Sequence, residues 1–167
     1  MNKFKAIISL SKPNIILSVA LTGLCGMVLA QGSLPDLKII FFTLVSLIFS
    51  AGGSAIINNL IEEDKDKLME RLSKRVKYFN IVGSRNLTII ASFLITFSLG
   101  ISFFKINIVN FSFTLLAILS YTVYYTLFLK RSSPFGTVLG GIPGALPVII
   151  GFSAIEPNIS ILYLNGI

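Results

Sequence analysis

The stretch KIIFFTLVSLIFSAGGSAIINNLI, from Lys38 to Ile61, is followed at once by EEDKDKLMERLSKR, from Glu62 to Arg75. After Lys38 the first stretch carries no charge for more than 20 residues, the length that a helix needs to cross the hydrocarbon core of a bilayer. The second stretch holds five of the seven acidic residues. This abrupt change predicts a membrane helix that ends in a charged segment at the membrane surface.

The composition of the whole chain also indicates a membrane protein. Hydrophobic residues make up 54% of the 167 residues and charged residues 13%, with a mean hydropathy of +0.86, whereas a soluble domain is about 25% charged. The basic excess, 14 residues against 7 acidic ones, is confined to short segments between apolar runs, which argues against nucleic-acid binding. One cysteine and no histidine exclude a disulfide framework and His-ligated metal or haem.

Apolar stretches of spanning length predict an all-α polytopic membrane protein that forms a single domain over residues 1–167. We expect five transmembrane helices, plus the start of a sixth at Ile159 to Ile167; the five lie near 14–31, 38–61, 87–104, 108–129 and 135–155. Twelve of the 14 basic residues precede the first span or follow the second and fourth. The positive-inside rule therefore predicts a cytoplasmic N-terminus and a cytoplasmic 62–86 loop, with the protein in the cytoplasmic (inner) membrane.

Asn58, Glu62 and Asp66 recur at four-residue intervals where the second span ends. If the helix continues, their oxygen atoms line one face and suit a divalent cation that carries a phosphate. The alternative is a solvated loop with balanced charge.

Four basic residues on the same predicted side are candidates for neutralising a diphosphate: Arg71, Arg75, Lys130 and Arg131. The alternatives are that the pair 130–131 only sets topology and that Arg71 and Arg75 contact lipid headgroups.

Tyr121, Tyr124 and Tyr125 lie near the cytoplasmic end of the fourth span. They form either part of the interfacial aromatic belt or, with one or two rings turned inward, π faces that stabilise a carbocation in a cavity. In the fifth span, Gly136, Gly140 and Gly144 predict close helix packing.

These segments together resemble the UbiA-type intramembrane prenyltransferases, and in detail the protohaem IX farnesyltransferases (haem O synthases). The resemblance is carried by SKPNIIL at the first span, NNLIEEDKDKLMER with Arg75, YYTLFLKR at the end of the fourth span, and GGIPGALPVIIGFSA in the fifth. It implies a UbiA-type helix bundle that transfers the farnesyl group of farnesyl diphosphate to a vinyl group of haem B, with Mg²⁺ as cofactor.

The resemblance also implies residue roles. The family's N-x-x-x-D-x-x-x-D metal ligands match Asn58, Glu62 and Asp66, with Asn59 and Asp64 as neighbouring candidates. Glu62 stands where the family has Asp, and because Mg²⁺ requires near-octahedral geometry, the longer arm is expected to weaken metal binding.

A second aspartate-rich motif, which the family carries after the fifth span, is absent: no acidic residue follows Glu156. The chain is therefore expected to be an N-terminal portion, with impaired activity alone and with a second chain or a C-terminal half as partner. Two alternatives stay open: a prenyltransferase acting on an aromatic or quinone precursor, and a non-enzymatic membrane fragment or transporter subunit.

Overall fold

The computed structural model describes residues 2–66, 70, 73–129 and 141–158, with the side chains of all of these except 64–66, 126–129 and 141–143. Most of these residues are helical, and none of them belongs to a strand. In chain order the helices are α1 (Lys3–Leu10), α2 (Pro13–Gln31), α3 (Leu37–Asp66), α4 (Ser73–Val82), α5 (Ser84–Ile101), α6 (Ile108–Leu119) and α7 (Gly141–Ile155). Helices α5 and α6 continue as π-helical segments, Ser102–Ile106 and Ser120–Leu129.

Four of the described helices are long and apolar enough to cross a membrane: Pro13–Gln31, Leu37–Glu63, Ser84–Ile106 and Ile108–Tyr125. They match the first four predicted spans, so the all-α membrane fold is confirmed. The predicted fifth span is described only from Gly141 onward, where a shorter apolar helix covers Gly144–Ile155. The predicted start of a sixth lies outside the described residues, so the number of spans and their orientation stay predictions.

Two short helices that the sequence patterns did not predict cover the polar end of α3. Helix α1 buries Ala6 and Leu10, and α4 buries Phe79 and Val82. These four side chains form one apolar cluster with Ile56 of α3 and with Leu87 and Ala91 of α5. The two helices are only 8 and 10 residues long, and helices of that length are marginal in isolation, so their formation depends on packing against the neighbouring helices.

Helices α2 and α7 approach closely through glycines. A Cβ atom at Gly151 would overlap the backbone of Gly23, and one at Gly26 would overlap the carbonyl of Val148. Gly144, which was predicted to make such a contact, has no atom of the described residues within 4 Å of its Cβ position, while Gly136 and Gly140 lie outside those residues. Among the described glycines of α7, Gly151 therefore makes the close approach.

Buried polar side chains join the helices of the bundle. Oγ of Ser46 in α3 lies 3.0 Å from Oγ of Ser98 and 2.7 Å from Oγ of Ser102. Nδ2 of Asn110 in α6 donates to the carbonyl oxygen of Ile150 in α7 at 2.7 Å. A polar group in a bilayer needs a partner within the protein, and these contacts supply one between helices.

Candidate functional site

The polar end of α3 places Asn58 and Glu62 one turn apart, with exposed fractions of only 2% and 8%. The helix runs without a break to Asp66, so the expected continuation of the second span beyond the apolar stretch is observed. Two oxygen-bearing side chains are thereby held at successive turns of one helix. The side chains of Asp64 and Asp66 lie outside the described set.

Lys12 reaches this pair from the junction of α1 and α2. Its ammonium nitrogen Nζ donates to Oδ1 of Asn58 at 2.6 Å. Lys12 has a left-handed backbone, with φ 57° and ψ 68°, and is followed by Pro13 at the first position of α2. A non-glycine residue rarely adopts this conformation. This backbone conformation turns the chain between α1 and α2. It also directs the Lys12 side chain toward α3.

Asn59, next in the chain, points to a different neighbour. Its Nδ2 donates to the carbonyl oxygen of Leu10 at 2.7 Å, and the residue is 1% exposed. Because a carbonyl oxygen only accepts, this contact determines which end of the Asn59 amide faces α1. The other end, Oδ1, is buried and accepts no hydrogen bond from the described residues.

A pocket of about 280 Å³ lies between α1, α4 and this amide. Its lining carries three cationic side chains together with hydroxyl groups and an apolar residue: Ser9, Leu10, Lys12, Asn59, Lys74, Arg75 and Tyr78. The lining therefore presents positive charge beside the carboxylate and amide groups of α3.

Arg75 connects this pocket to the carboxylate of Glu62 on α3. Its Nη1 atom lies 3.9 Å from Oε2 of Glu62. The guanidinium is partly exposed, so this ion pair is screened by solvent and sets orientation more than stability. Among the predicted diphosphate residues, Arg75 is the one whose side chain is described; Arg71, Lys130 and Arg131 lie outside the described residues.

A second cavity, of about 310 Å³, opens between α2, α3, α7 and the π-helical continuation of α6. Its wall is mainly apolar, with Ile15 and Val19 from α2 and Pro147 and Ile150 from α7. Ser54 also lines it, and this residue lies one turn before Asn58 on α3. The cavity therefore leads along α3 toward the buried amide and carboxylate, and its wall suits a hydrocarbon chain.

Two of the three candidate tyrosines line this cavity. The rings of Tyr121 and Tyr125 stack with centroids 5.8 Å apart and an interplanar angle of 10°. Tyr124 is 43% exposed and is not part of the lining. The π-helical backbone from Ser120 to Leu129 supports the stacked pair.

The donor set at the end of α3 fits a hard divalent cation. Asn58 supplies an amide oxygen and Glu62 a carboxylate, which are the ligand types that Mg²⁺ binds. Both groups face cationic groups in the structure, the Lys12 ammonium and the Arg75 guanidinium. The described side chains contain no cluster of three acidic, histidine or cysteine residues, so the site needs ligands beyond this pair, and Asp64 and Asp66 continue the same helix.

Comparison of the sequence with known proteins assigns the chain to a family. The family model described as the UbiA prenyltransferase family matches residues 19–165 of the chain. The chain belongs to the UbiA prenyltransferase family. With its four apolar helices, it is a multi-pass membrane protein of that family. No solved structure matched the chain.

Among curated relatives of this UbiA-family chain, a protein named Protoheme IX farnesyltransferase from Geotalea uraniireducens (strain Rf4) is 40% identical over 134 residues, covering 80% of this chain and 52% of the relative. Proteins of the same name from Aquifex aeolicus (strain VF5) and Streptomyces coelicolor (strain ATCC BAA-471 / A3(2) / M145) are 37% and 36% identical. They match over 96% and 95% of this chain and 55% and 50% of their own lengths. The chain thus spans about half the length of the curated relatives it matches.

Several site residues of this UbiA-family protein were not predicted from the sequence. Lys12 and Lys74 had been counted only among the basic residues that set membrane topology, and Ser54 and Tyr78 had no predicted role at the site. Lys12 is signalled by the SKPNIIL segment, because a lysine directly before a helix-starting proline is placed at a helix junction. Ser54 follows from helix spacing, since it lies one turn before Asn58 on α3, whereas Lys74 and Tyr78 have no local signal, because their positions near Asn59 depend on how α4 folds over α3.

Proposed function

We propose that this protein contributes to the transfer of the farnesyl group of farnesyl diphosphate to a vinyl group of haem B, giving haem O. The observation that carries the proposal is the buried Asn58 and Glu62 pair on α3, where Asn58 lies one turn after Ser54 in the wall of an apolar cavity, in a chain of the UbiA prenyltransferase family. The names of the curated relatives support haem B as the acceptor.

The diphosphate binds at the charged end of α3. Asn58, Glu62 and Asp66 would hold Mg²⁺, with Asp64 as a further candidate ligand. When bound, Mg²⁺ supplies a Lewis acid that stabilises negative charge on the departing diphosphate. The guanidinium of Arg75 neutralises another side of the diphosphate, and Arg71, Lys130 and Arg131 complete the basic surroundings. The Arg75 contact with Glu62 supports this placement.

The farnesyl chain occupies the apolar cavity, with its reacting carbon toward Asn58. As the bond between C1 and the diphosphate oxygen breaks, its electron pair leaves with the diphosphate. The stacked faces of Tyr121 and Tyr125 stabilise the allylic cation, and the apolar wall excludes water from it. The vinyl group attacks C1, and the resulting cation takes up water and releases a proton.

We infer that the charged end of α3 faces the cytoplasm, with the protein in the inner membrane. The support is the basic segment that follows α3, which the positive-inside rule assigns to the cytoplasm. The bilayer and the two substrates are then the partners of the site.

The test is ligand-dependent stabilisation of the purified chain in lipid nanodiscs. Farnesyl diphosphate is expected to raise the melting temperature when Mg²⁺ is present and not when EDTA is present, while farnesol gives no Mg²⁺-dependent shift. Absence of a shift at saturating farnesyl diphosphate contradicts the site. The acceptor is tested by expressing the chain in a strain that lacks haem O synthesis and detecting haem O in its membranes by chromatography. If an aromatic acid is prenylated instead, that acid replaces haem B as the proposed acceptor.

A further inference from the structure

We propose that Lys12 is a tethered cation that competes with the divalent metal for Oδ1 of Asn58, and that Asn59 receives the ammonium when the metal binds. The inference rests on the proposed function, since it concerns the same metal site. It assigns Lys12 and Asn59 as positioning residues of that site, and Asn59 in this role accepts a hydrogen bond and does not ligate the metal.

The first observation is the position of the Lys12 ammonium. It lies 2.6 Å from Oδ1 of a side chain that is 2% exposed, so it takes up an oxygen that water hardly reaches. A divalent cation on the same oxygen would bring two positive centres into close repulsion in a buried setting. Mg²⁺ also demands near-octahedral geometry at about 2.0–2.1 Å, which leaves little room for an ammonium on the same amide oxygen.

The second observation is the unpaired acceptor beside it. Oδ1 of Asn59 is buried and receives no hydrogen bond within the described part of the chain. The donation from Nδ2 of Asn59 to Leu10 prevents the amide from turning its nitrogen to this position. A buried acceptor without a donor is unfavourable, so this oxygen is prepared to accept one.

The third observation is that Lys12 and Asn59 line the same pocket, which has a volume of about 280 Å³. The ammonium therefore has space in the pocket and an acceptor one residue away from Asn58. The flexible lysine side chain can make this change while its backbone stays at the α1–α2 junction.

The charges around the pocket determine when the exchange occurs. Lys74 and Arg75 also line it, so a displaced ammonium meets two like charges. An anion arriving with the metal offsets this repulsion, because phosphate oxygens pair with all three cations. The exchange thus makes metal binding weak alone and stronger together with a diphosphate, which is positive coupling between the two ligands.

The test measures Mn²⁺ affinity by electron paramagnetic resonance, using the full chain in nanodiscs. Lys12→Met is expected to tighten Mn²⁺ binding without diphosphate about fivefold or more, within the usual range of coupling between sites. Lys5→Met, on an exposed part of α1, is the matched control for loss of one positive charge and is expected to leave the affinity unchanged. Inorganic diphosphate should tighten Mn²⁺ binding more in the parent chain than in Lys12→Met.

A double-mutant cycle tests the role of Asn59. Asn59→Leu is expected to weaken Mn²⁺ binding when Lys12 is present, because the displaced ammonium then lacks its acceptor, and to have no effect in the Lys12→Met background. Lys12→Gln, which keeps a donor without the charge, replaces Lys12→Met if that variant fails to fold.

Equal or weaker Mn²⁺ affinity of the Lys12 variants, with binding still measurable, overturns this inference and leaves the proposed function intact. Failure of the parent chain and of every variant to bind Mn²⁺, even with diphosphate, overturns the metal site itself. If the effects of the Lys12→Met and Asn59→Leu substitutions on Mn²⁺ affinity are additive, Asn59 is not the acceptor of the displaced ammonium.

Discussion

Gly151 of α7 lies against Gly23 of α2 so closely that a Cβ atom on Gly151 would overlap the Gly23 carbonyl. A Cβ atom on Gly23 would overlap the end of the flexible Leu47 side chain on α3, which can shift more easily than a backbone can. This contact holds α7 against α2, and residues of both helices line the apolar cavity. Close approach of backbones through small residues is the usual way in which helices associate in a bilayer.

Gly151→Ala is therefore expected to destabilise the bundle by about 1–3 kcal/mol, the usual cost of overpacking a rigid contact. Gly100→Ala in α5 is the control, because no atom in the described part of the chain lies within 4 Å of its Cβ position. Thermal unfolding in detergent measures both. A melting temperature for Gly151→Ala equal to that of the control would contradict the close packing.

Glu62→Gln removes the buried carboxylate that we propose as a metal ligand. Mg²⁺ affinity in the presence of farnesyl diphosphate should fall about tenfold or more, as is common when a metal site is disturbed. Glu63→Gln is the neighbouring control, whose carboxylate accepts a hydrogen bond from Ser84 at 3.3 Å. Calorimetric titration of both variants compares them, and equal losses would point to a general charge effect.

Glu62→Asp shortens the arm of the same carboxylate and introduces the residue type expected from the family pattern. Because Mg²⁺ tolerates little distortion, we expect tighter Mg²⁺ binding than in the parent chain. The same titration measures the change. Weaker binding by Glu62→Asp would mean that α3 is placed to suit the longer glutamate.

Ser54→Leu adds bulk to the cavity wall one turn before Asn58. It should lower affinity for farnesyl diphosphate and leave affinity for inorganic diphosphate unchanged, because the hydrocarbon chain loses space while the charged end does not. Ser18→Leu, an equal substitution at an exposed position of α2, is the control. Equal weakening for the two ligands would show that Ser54→Leu disturbs α3 itself.

Asn110→Leu removes the hydrogen bond from α6 to the carbonyl oxygen of Ile150. Asn110 is fully buried, so we expect a loss of about 0.6–2 kcal/mol, the range for hydrogen bonds between membrane helices. Asn86→Leu is the control, since its Nδ2 donates locally to Val82 at 2.8 Å. Thermal unfolding would contradict the role of Asn110 if both variants were equally stable.

The sequence predicts the membrane fold well, and it also predicts that Asn58, Glu62 and Asp66 share one helix. Four apolar runs coincide with helices because a bilayer leaves the backbone few alternatives to a helix. The spacing of Asn58, Glu62 and Asp66 places them on a single helix, and α3 does extend that far. For the tyrosine segment the sequence left two alternatives, an interfacial aromatic belt or rings turned into a cavity, because the spacing of the tyrosines does not indicate which ring faces a cavity.

The sequence by itself determined that this chain is a helical membrane protein of the UbiA prenyltransferase family, because hydropathy and residue order need no knowledge of neighbours. Only the tertiary structure decided that Lys12 reaches Asn58, 46 positions away, and that Tyr121 and Tyr125 line a cavity while Tyr124 does not. It also decided that Gly151 makes the close helix contact in α7 and that α1 and α4 cover the end of α3. These features depend on distances between separate helices, which packing sets and local sequence does not.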